Sequence, residues 1–295
     1  MEHSNIIPVF AGGSVAKHGD RSIGAILIHA GRLTTENAER ILHLQRENGS
    51  RFGEAATELG LLTPADIEFA LSRQFSHPYL LRGESKASED LVTAYDPFSH
   101  QSEAFRALRS QLMLRWFDGD PAHKALAVVS ADREEGRSFL TANLGVVFSQ
   151  LGAHTLVIDA DLRNPRQHAL FALDNRIGLS AVLSGRSGPE AIQQVPGLPD
   201  LSVFPAGALP PNPVELLARP LLPQLLRELG KEFDAILLDT PAAAQYADAQ
   251  SVAARAGAAL IVARKNMSRM WRVCGVSDTM GQASTIILGS VLNDF

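Results

Sequence analysis

Six short aliphatic runs constrain this chain more than any other feature: ALAVVS (125–130), HTLVID (154–159), LSVFP (201–205), AILLDT (235–240), AALIVA (258–263) and IILGSVL (286–292). Each is too short for a stable helix and apolar at consecutive rather than alternate positions, which reads as a strand covered on both faces. Helical patterns lie between them, at about 137–151, 213–229, 246–255 and 268–281. A further helix is expected over 99–116, with Phe105, Leu108 and Leu112 on one face. The helix at 213 has Asn212 as its cap, Pro213 at its first position and Glu215 at its third. Strands alternating with helices predict an α/β fold with a doubly wound, mostly parallel sheet.

The composition supplies the interior that such a sheet needs, with 45% hydrophobic and 20% charged residues. A length of 295 residues suggests two domains. A net charge of −5 and the lack of a long basic run argue against a nucleic-acid polymer as partner. The single cysteine, Cys274, has no intrachain disulfide partner, which suits a reducing cytoplasm, and reads as a buried small apolar residue. No run approaches the ~18 apolar residues of a membrane span. Residues 1–20 lack a basic start followed by an apolar block and read as a mobile tail rather than a signal peptide. The expected location is cytoplasmic, peripheral to the inner membrane only through a partner.

Residues 22–45 and 51–74 repeat each other. A shift of 29 residues brings Gly24 onto Gly53, Gly31 onto Gly60, Thr34 onto Thr63, Leu42 onto Leu71 and Gln45 onto Gln74. Each copy reads as a short helix, a glycine-marked turn and a longer helix, with Thr63 and Pro64 as a helix start. Ile41, Leu44, Ile67, Ala70 and Leu71 would face the other copy, giving a small all-α domain at 21–81. Residues 82–97, polar and without clear period, are expected to be a linker to a domain at 98–295.

The repeat resembles the N-terminal (MshEN-type) domain of type II secretion and pilus ATPases, some of which bind cyclic di-GMP through two such motifs. That resemblance implies cyclic di-GMP contacts from Gly24, Gly31, Gln45, Arg51, Gly53, Gly60 and Gln74. Ser22 stands where the first motif has Arg, with Arg21 adjacent, and Ala38 and Ala56 replace larger apolar residues. The alternative is a purely structural or docking module.

The run 125–130 leads into Ser130-Ala131-Asp132-Arg133-Glu134-Glu135-Gly136-Arg137-Ser138 and then a helical pattern, the place and length of a G-x-x-x-x-G-K-[ST] phosphate loop. Backbone N–H groups at such a helix start cradle phosphate, and the helix dipole favours the anion. Residues 131–138 are therefore candidate phosphate binders, with Ser138 offering its oxygen to Mg²⁺. Ala131 replaces the first glycine and Arg137 the lysine. Glu134 and Glu135 add negative charge, so they are expected to point to solvent. Asp159 and Asp161 close one buried run and Asp239 another, at the strand ends where a doubly wound fold places its ligand. Carboxylates there suit Mg²⁺.

The order of phosphate loop, LVIDADLR and AILLDTP resembles the bacterial tyrosine (BY) kinases of capsule and exopolysaccharide assembly, relatives of the ParA and MinD ATPases. The resemblance spans about 98–295 and is nearest to the EpsG-type chain-length-determinant tyrosine kinases. DADLRNPRQHALF (159–171), GLSAVLSG (178–185), PAGALPPNPVELL (205–217) and GSVLN (289–293) carry it further. It implies an ATP-dependent protein-tyrosine kinase. Ser138, Asp159 and Asp239 would serve Mg²⁺, and Asp159 and Asp161 would share metal positioning and activation of the tyrosine hydroxyl. It also implies a homo-oligomer built on Glu103, Arg106 and Arg109, and a membrane polysaccharide co-polymerase (chain-length determinant) as partner. The sequence stops at Phe295, and Tyr79, Tyr95 and Tyr246 lie in no tail. Self-phosphorylation of a C-terminal tyrosine cluster is therefore not expected. Phosphorylation of another protein, a hydrolytic switch and nucleotide binding without turnover remain open, as does a degenerate regulatory protein that senses cyclic di-GMP.

Overall fold

A computed structural model describes residues 22–74 and 78–294, in two compact units divided between His77 and Pro78. The tail expected at 1–20, and Arg21, lie outside the described residues.

The first unit contains α1 (Ile23–His29), α2 (Thr35–Asn48), α3 (Phe52–Glu58) and α4 (Pro64–Gln74). The alternation of short and long helices follows the repeat. The hydroxyls of Ser22, Thr34 and Thr63 each accept a backbone N–H three residues on, at 3.2 Å. Gly31 and Gly60 follow the short helices at φ +69° and +64°, the left-handed conformation that glycine adopts without strain. The copies interlock, α1 packing on α4 and α2 on α3.

The second unit opens with α5 (Val92–Tyr95) and α6 (His100–Arg115). Then come β1 (Ala125–Ser130), α7 (Arg137–Ser149), β2 (Thr155–Asp159), α8 (Gln167–Leu170) and α9 (Leu179–Leu183). β3 (Gln193–Gln194), β4 (Leu201–Phe204), α10 (Pro213–Ala218), α11 (Leu221–Leu229) and β5 (Ala235–Asp239) follow. α12 (Asp248–Ala256), β6 (Ala258–Arg264), α13 (Met270–Gln282) and β7 (Ile286–Asn293) complete it. The sheet order is β3-β4-β2-β5-β1-β6-β7, parallel throughout except for β3 against β4. Ala127 and Val129 of β1 pack on one face with the cluster containing Leu216, Leu226, Val252 and Met280; Leu126 and Val128 pack on the other with Phe105, Leu112 and Leu144. The mostly parallel α/β architecture read from the sequence is thus present.

Four expectations need correction. Residues 82–97 are not a free linker. Leu80, Leu91, Ala94 and Tyr95 join a core cluster with Ala142, Val146 and Val157. The buried Asn143 Oδ1 accepts both the N–H and the hydroxyl of Thr93, at 3.0 and 2.9 Å. The single helix read over 213–229 is two, broken at Arg219-Pro220, because proline restricts the residue before it to extended backbone, here ψ 148°. Asn212 makes no side-chain cap bond. Cys274 is exposed rather than buried.

Candidate active site

The loop between β1 and α7 is shaped by two left-handed residues, Glu134 at φ +62° and Gly136 at φ +93°. The N–H groups of residues 133–138 donate to no acceptor among the described residues. Successive free N–H groups at a helix start form an anion cradle, and the α7 dipole adds to it. Asp132 is the exception, since its N–H is taken by Glu135 Oε2 at 2.7 Å.

Glu135 therefore does not point to solvent as expected. It is fully buried, and its other oxygen accepts the hydroxyl of Ser268. A carboxylate inside the loop is tolerable because both oxygens are bonded. Asn293 Nδ2 donates to the Glu135 carbonyl at 2.8 Å, and Arg272 pairs with Asp132. The loop is thus tied to α13 and to the end of β7. Ala131 is buried, its carbonyl accepting the Ala244 N–H at 3.0 Å.

Arg137 fills the lysine position differently from a free cation. Its Nε donates to the Thr240 carbonyl at 2.7 Å, and its Nη1 to the Asp132 carbonyl at 2.7 Å and to Ser130 Oγ. It braces the loop against the end of β5, and Nη2 has no partner among the described residues.

The register of β2 on β5 sets Asp159 beside Asp239. Asp159 Oδ2 accepts the N–H groups of Arg166 and Gln167, both at 2.9 Å. Asp239 Oδ2 accepts Gln167 Nε2 at 2.8 Å. The remaining oxygen of each, Oδ1, is buried without a partner. Burial lifts the Asp159 carboxyl well above the usual carboxylate range; the charges of Asp239 and Asp161 add to this, and the N–H donors oppose it. Burial also raises Asp239, against the opposing pull of Arg137, Ser138 and Gln167. Asp161 turns its Oδ1 to the N–H groups of Arg163 and Asn164, at 3.1 and 2.9 Å.

A cavity of about 690 Å³ opens here, lined among others by Gly136, Arg137, Ser138, Asp161, Arg166 and Tyr246; Asp159 and Asp239 are fully buried and are not part of its lining. That is ample for a nucleotide. Two buried, unpaired carboxylate oxygens beside a serine hydroxyl and a row of free N–H groups suit a phosphate chain carrying Mg²⁺. Among the described residues no three His, Cys, Asp or Glu side chains enclose a metal site. Mg²⁺ keeps several waters and takes one or two carboxylates beside phosphate oxygens.

No family model matches the chain. The chain is 32% identical over 209 residues to tyrosine-protein kinase YwqD of Bacillus subtilis (strain 168), covering 71% of this chain and 87% of that one. The chain belongs to the bacterial tyrosine-protein kinase family. Among solved structures, the chimerical protein CapA2B2 superimposes with a TM-score of 0.65 at 31% identity, over 77% of this chain and 98% of that one. The septum site-determining protein MinD of Pyrococcus horikoshii OT3, complexed with Mg-ADP, gives 0.51 at 27% identity over 58% and 70%. The ParA/MinD-like reading of the fold is thus supported.

On α6, Glu103 is exposed, whereas Arg106 and Arg109 are half-buried. Arg109 Nη1 donates to the Val147 carbonyl at 2.6 Å and its Nε is buried. Arg106 bonds Glu103 and the Pro97 carbonyl. Glu103 alone stays largely exposed. Arginine's reach is the reason: backbone carbonyls at the end of α7 and before α6 capture the guanidinium groups.

In the first unit, Gly24, Gln45 and Gln74 line a cavity of about 520 Å³, whereas Gly31, Arg51, Gly53 and Gly60 do not. Its lining includes Glu39 and no basic side chain. Gly53 serves packing, since a Cβ there would stand 3.2 Å from Ile67 Cγ2. Arg51 opens α3, its N–H capped by Glu54 at 2.9 Å.

Sequence reasoning did not single out Gln167, which bridges Asp239 and the Ser138 carbonyl at 2.8 and 3.1 Å. It lies in the segment 159–171 quoted for the resemblance, but a glutamine carries no chemical signal of its own. The burial of Glu135 had no sequence signal either.

Proposed function

We propose that the second unit transfers the γ-phosphoryl group of ATP to a tyrosine hydroxyl, in the service of exopolysaccharide or capsule assembly. The observation that carries this reading is the pair of buried, unpaired carboxylate oxygens on Asp159 and Asp239, side by side at the strand ends next to the free N–H groups of 133–138. Residues 131–138 would hold the phosphates, through their N–H groups and the α7 dipole, with Arg137 keeping the loop in shape. Ser138 and Asp239 would hold Mg²⁺, with Asp159 beside them. When bound, the ion neutralises charge on the phosphate chain. Asp161 and Asp159 would orient the incoming hydroxyl and take its proton. Phosphoryl transfer needs alignment and charge neutralisation more than covalent help, so this set suffices.

The partner would be a membrane polysaccharide co-polymerase, with chain-length control as the process. Self-association would use the exposed Glu103 side of α6. The chain would then be cytoplasmic and held at the inner membrane by that partner. No described helix is long and apolar enough to cross a membrane.

Incubation with radiolabelled ATP and Mg²⁺, with and without a Glu-Tyr copolymer, tests the kinase. Label on tyrosine that disappears in Asp159→Asn is expected. No label under any condition removes the reading.

A second reading concerns the first unit. Its cavity beside Gly24, Gln45 and Gln74 would take cyclic di-GMP and make the protein a sensor. Titration calorimetry of the full chain decides: heat lost in Gln45→Ala supports it, and no heat ends it.

A further inference from the structure

We propose that Tyr246 is a phosphate acceptor for the chain's own catalytic cavity, modified in cis. The proposal rests on the kinase reading above. The sequence contains three tyrosines. Tyr95 is buried and its hydroxyl is spent on the Ala87 carbonyl at 2.7 Å. The Tyr79 hydroxyl is buried. Tyr246 instead lines the 690 Å³ cavity that Ser138, Arg137 and Asp161 also line. It sits on the loop that follows Asp239, half-buried, and its hydroxyl has no hydrogen-bond partner among the described residues.

The ring is held in place. The Arg163 guanidinium stacks on it, 3.9 Å from the ring centre. Arg163 is fixed in turn by the buried carboxylate of Asp248, with Nη2 3.2 Å from Oδ2. The Arg163 N–H donates to Asp161 Oδ1 at 3.1 Å. One short stretch, Asp161–Arg163, therefore carries both a candidate base and the cation that positions the phenol. Holding the acceptor at the cavity wall replaces a bimolecular encounter by an intramolecular one.

In the step, the Tyr246 phenolic oxygen bonds to the γ-phosphorus of ATP. The bond from that phosphorus to the β,γ-bridging oxygen breaks, and ADP leaves with the electron pair. The phenolic proton passes to the Asp161 carboxylate and on to water. The phosphotyrosine that results lies beside Arg163, with Arg166 on the same cavity, and such cations bind phosphate through charge-assisted hydrogen bonds.

The test uses the full chain with Mg²⁺ and ATP, a Glu-Tyr copolymer as outside acceptor, and phosphosite mapping by mass spectrometry over a wide dilution series. The expected result is phosphate on Tyr246, formed at a rate per chain that does not change with dilution, and loss of the self-label in Tyr246→Phe. A readout without turnover accompanies it: tetranitromethane nitrates Tyr246 in the nucleotide-free chain, and Mg-ADP protects it. Phosphorylated copolymer with Tyr246 unmodified overturns the proposal while the kinase reading stands. A rate that falls with dilution overturns the cis route. Nitration of Tyr246 indifferent to Mg-ADP removes it from the nucleotide cavity. No transfer to either acceptor sinks the kinase reading and the proposal with it.

Discussion

At the residue scale, the phosphate loop departs most from its motif where its chemistry is most internal. Arg137 satisfies two backbone carbonyls and a hydroxyl, and Glu135 an N–H and a hydroxyl. Truncating Arg137 to Ala strands the Thr240 carbonyl in the interior, while the Asp132 carbonyl keeps the Ser130 hydroxyl. Unfolding in urea should show a loss of about 1–3 kcal/mol, the cost of a buried unpaired acceptor. Unchanged stability would mean that the brace contributes nothing. The aspartates give a pH signature. An unfolded Asp titrates near about 3.9. Burial raises both Asp159 and Asp239 above that in the folded chain, with the charges of Asp239 and Asp161 adding to Asp159 and that of Asp161 to Asp239. At these two groups the folded chain therefore binds more protons than the unfolded one. Their contribution to stability is full below about pH 4 and is lost as pH rises through the raised values. Asp159→Asn removes that penalty. Scanning fluorimetry should show the variant melting higher than the parent at about pH 8, by roughly 2–4 °C per kcal/mol relieved, with phosphotransfer abolished. A variant that melts lower at that pH contradicts the assignment. The aspartates were legible in the sequence because each closes an aliphatic run. Gln167 and the inward Glu135 were not, because burial of a single polar side chain leaves no periodic trace.

At the element scale, α7 carries the loop at its first turn, so its seat on the sheet sets the site. That seat depends on Gly145, where a Cβ would fall 2.5 Å from Val157 Cγ2 and 3.3 Å from Leu201 Cδ1. Gly145→Ala should cost about 1–3 kcal/mol by overpacking and weaken ADP binding by displacing the loop. Calorimetric titration beside a urea melt would register both, and wild-type values in both would refute the packing argument. Strand positions were readable to within a residue or two because a buried parallel strand is a continuous aliphatic run; the run 286–292, read as covered on both faces, is instead the partly exposed edge strand β7. The helices at Gln167–Leu170 and Leu179–Leu183 were missed because one turn of helix shows no period. The break at Pro220 was in plain view, and the strong cap signal at Asn212-Pro213 masked it.

At the scale of the whole molecule, the chain divides into its two units between His77 and Pro78, not in the polar stretch 82–97. That stretch misled because Leu80, Leu91 and Tyr95 are spaced without period, yet each is at most 5% exposed. A chain starting at Pro78 should therefore retain the melting behaviour of the second unit. One starting at Phe98 should lose about 5 kcal/mol or more, at about 1.5–3 kcal/mol for each large buried side chain removed. Equal stability of the two would restore the linker. The central claim is a magnesium-dependent nucleotide site made from the 131–138 loop and the aspartates at the strand ends. Titration calorimetry of ADP, with and without Mg²⁺, on the wild-type chain and on Asp239→Asn tests it most directly. The account predicts that Mg²⁺ tightens ADP binding in the wild type and has no effect in the variant. Equal tightening in both, or no ADP binding to the wild type, would contradict it.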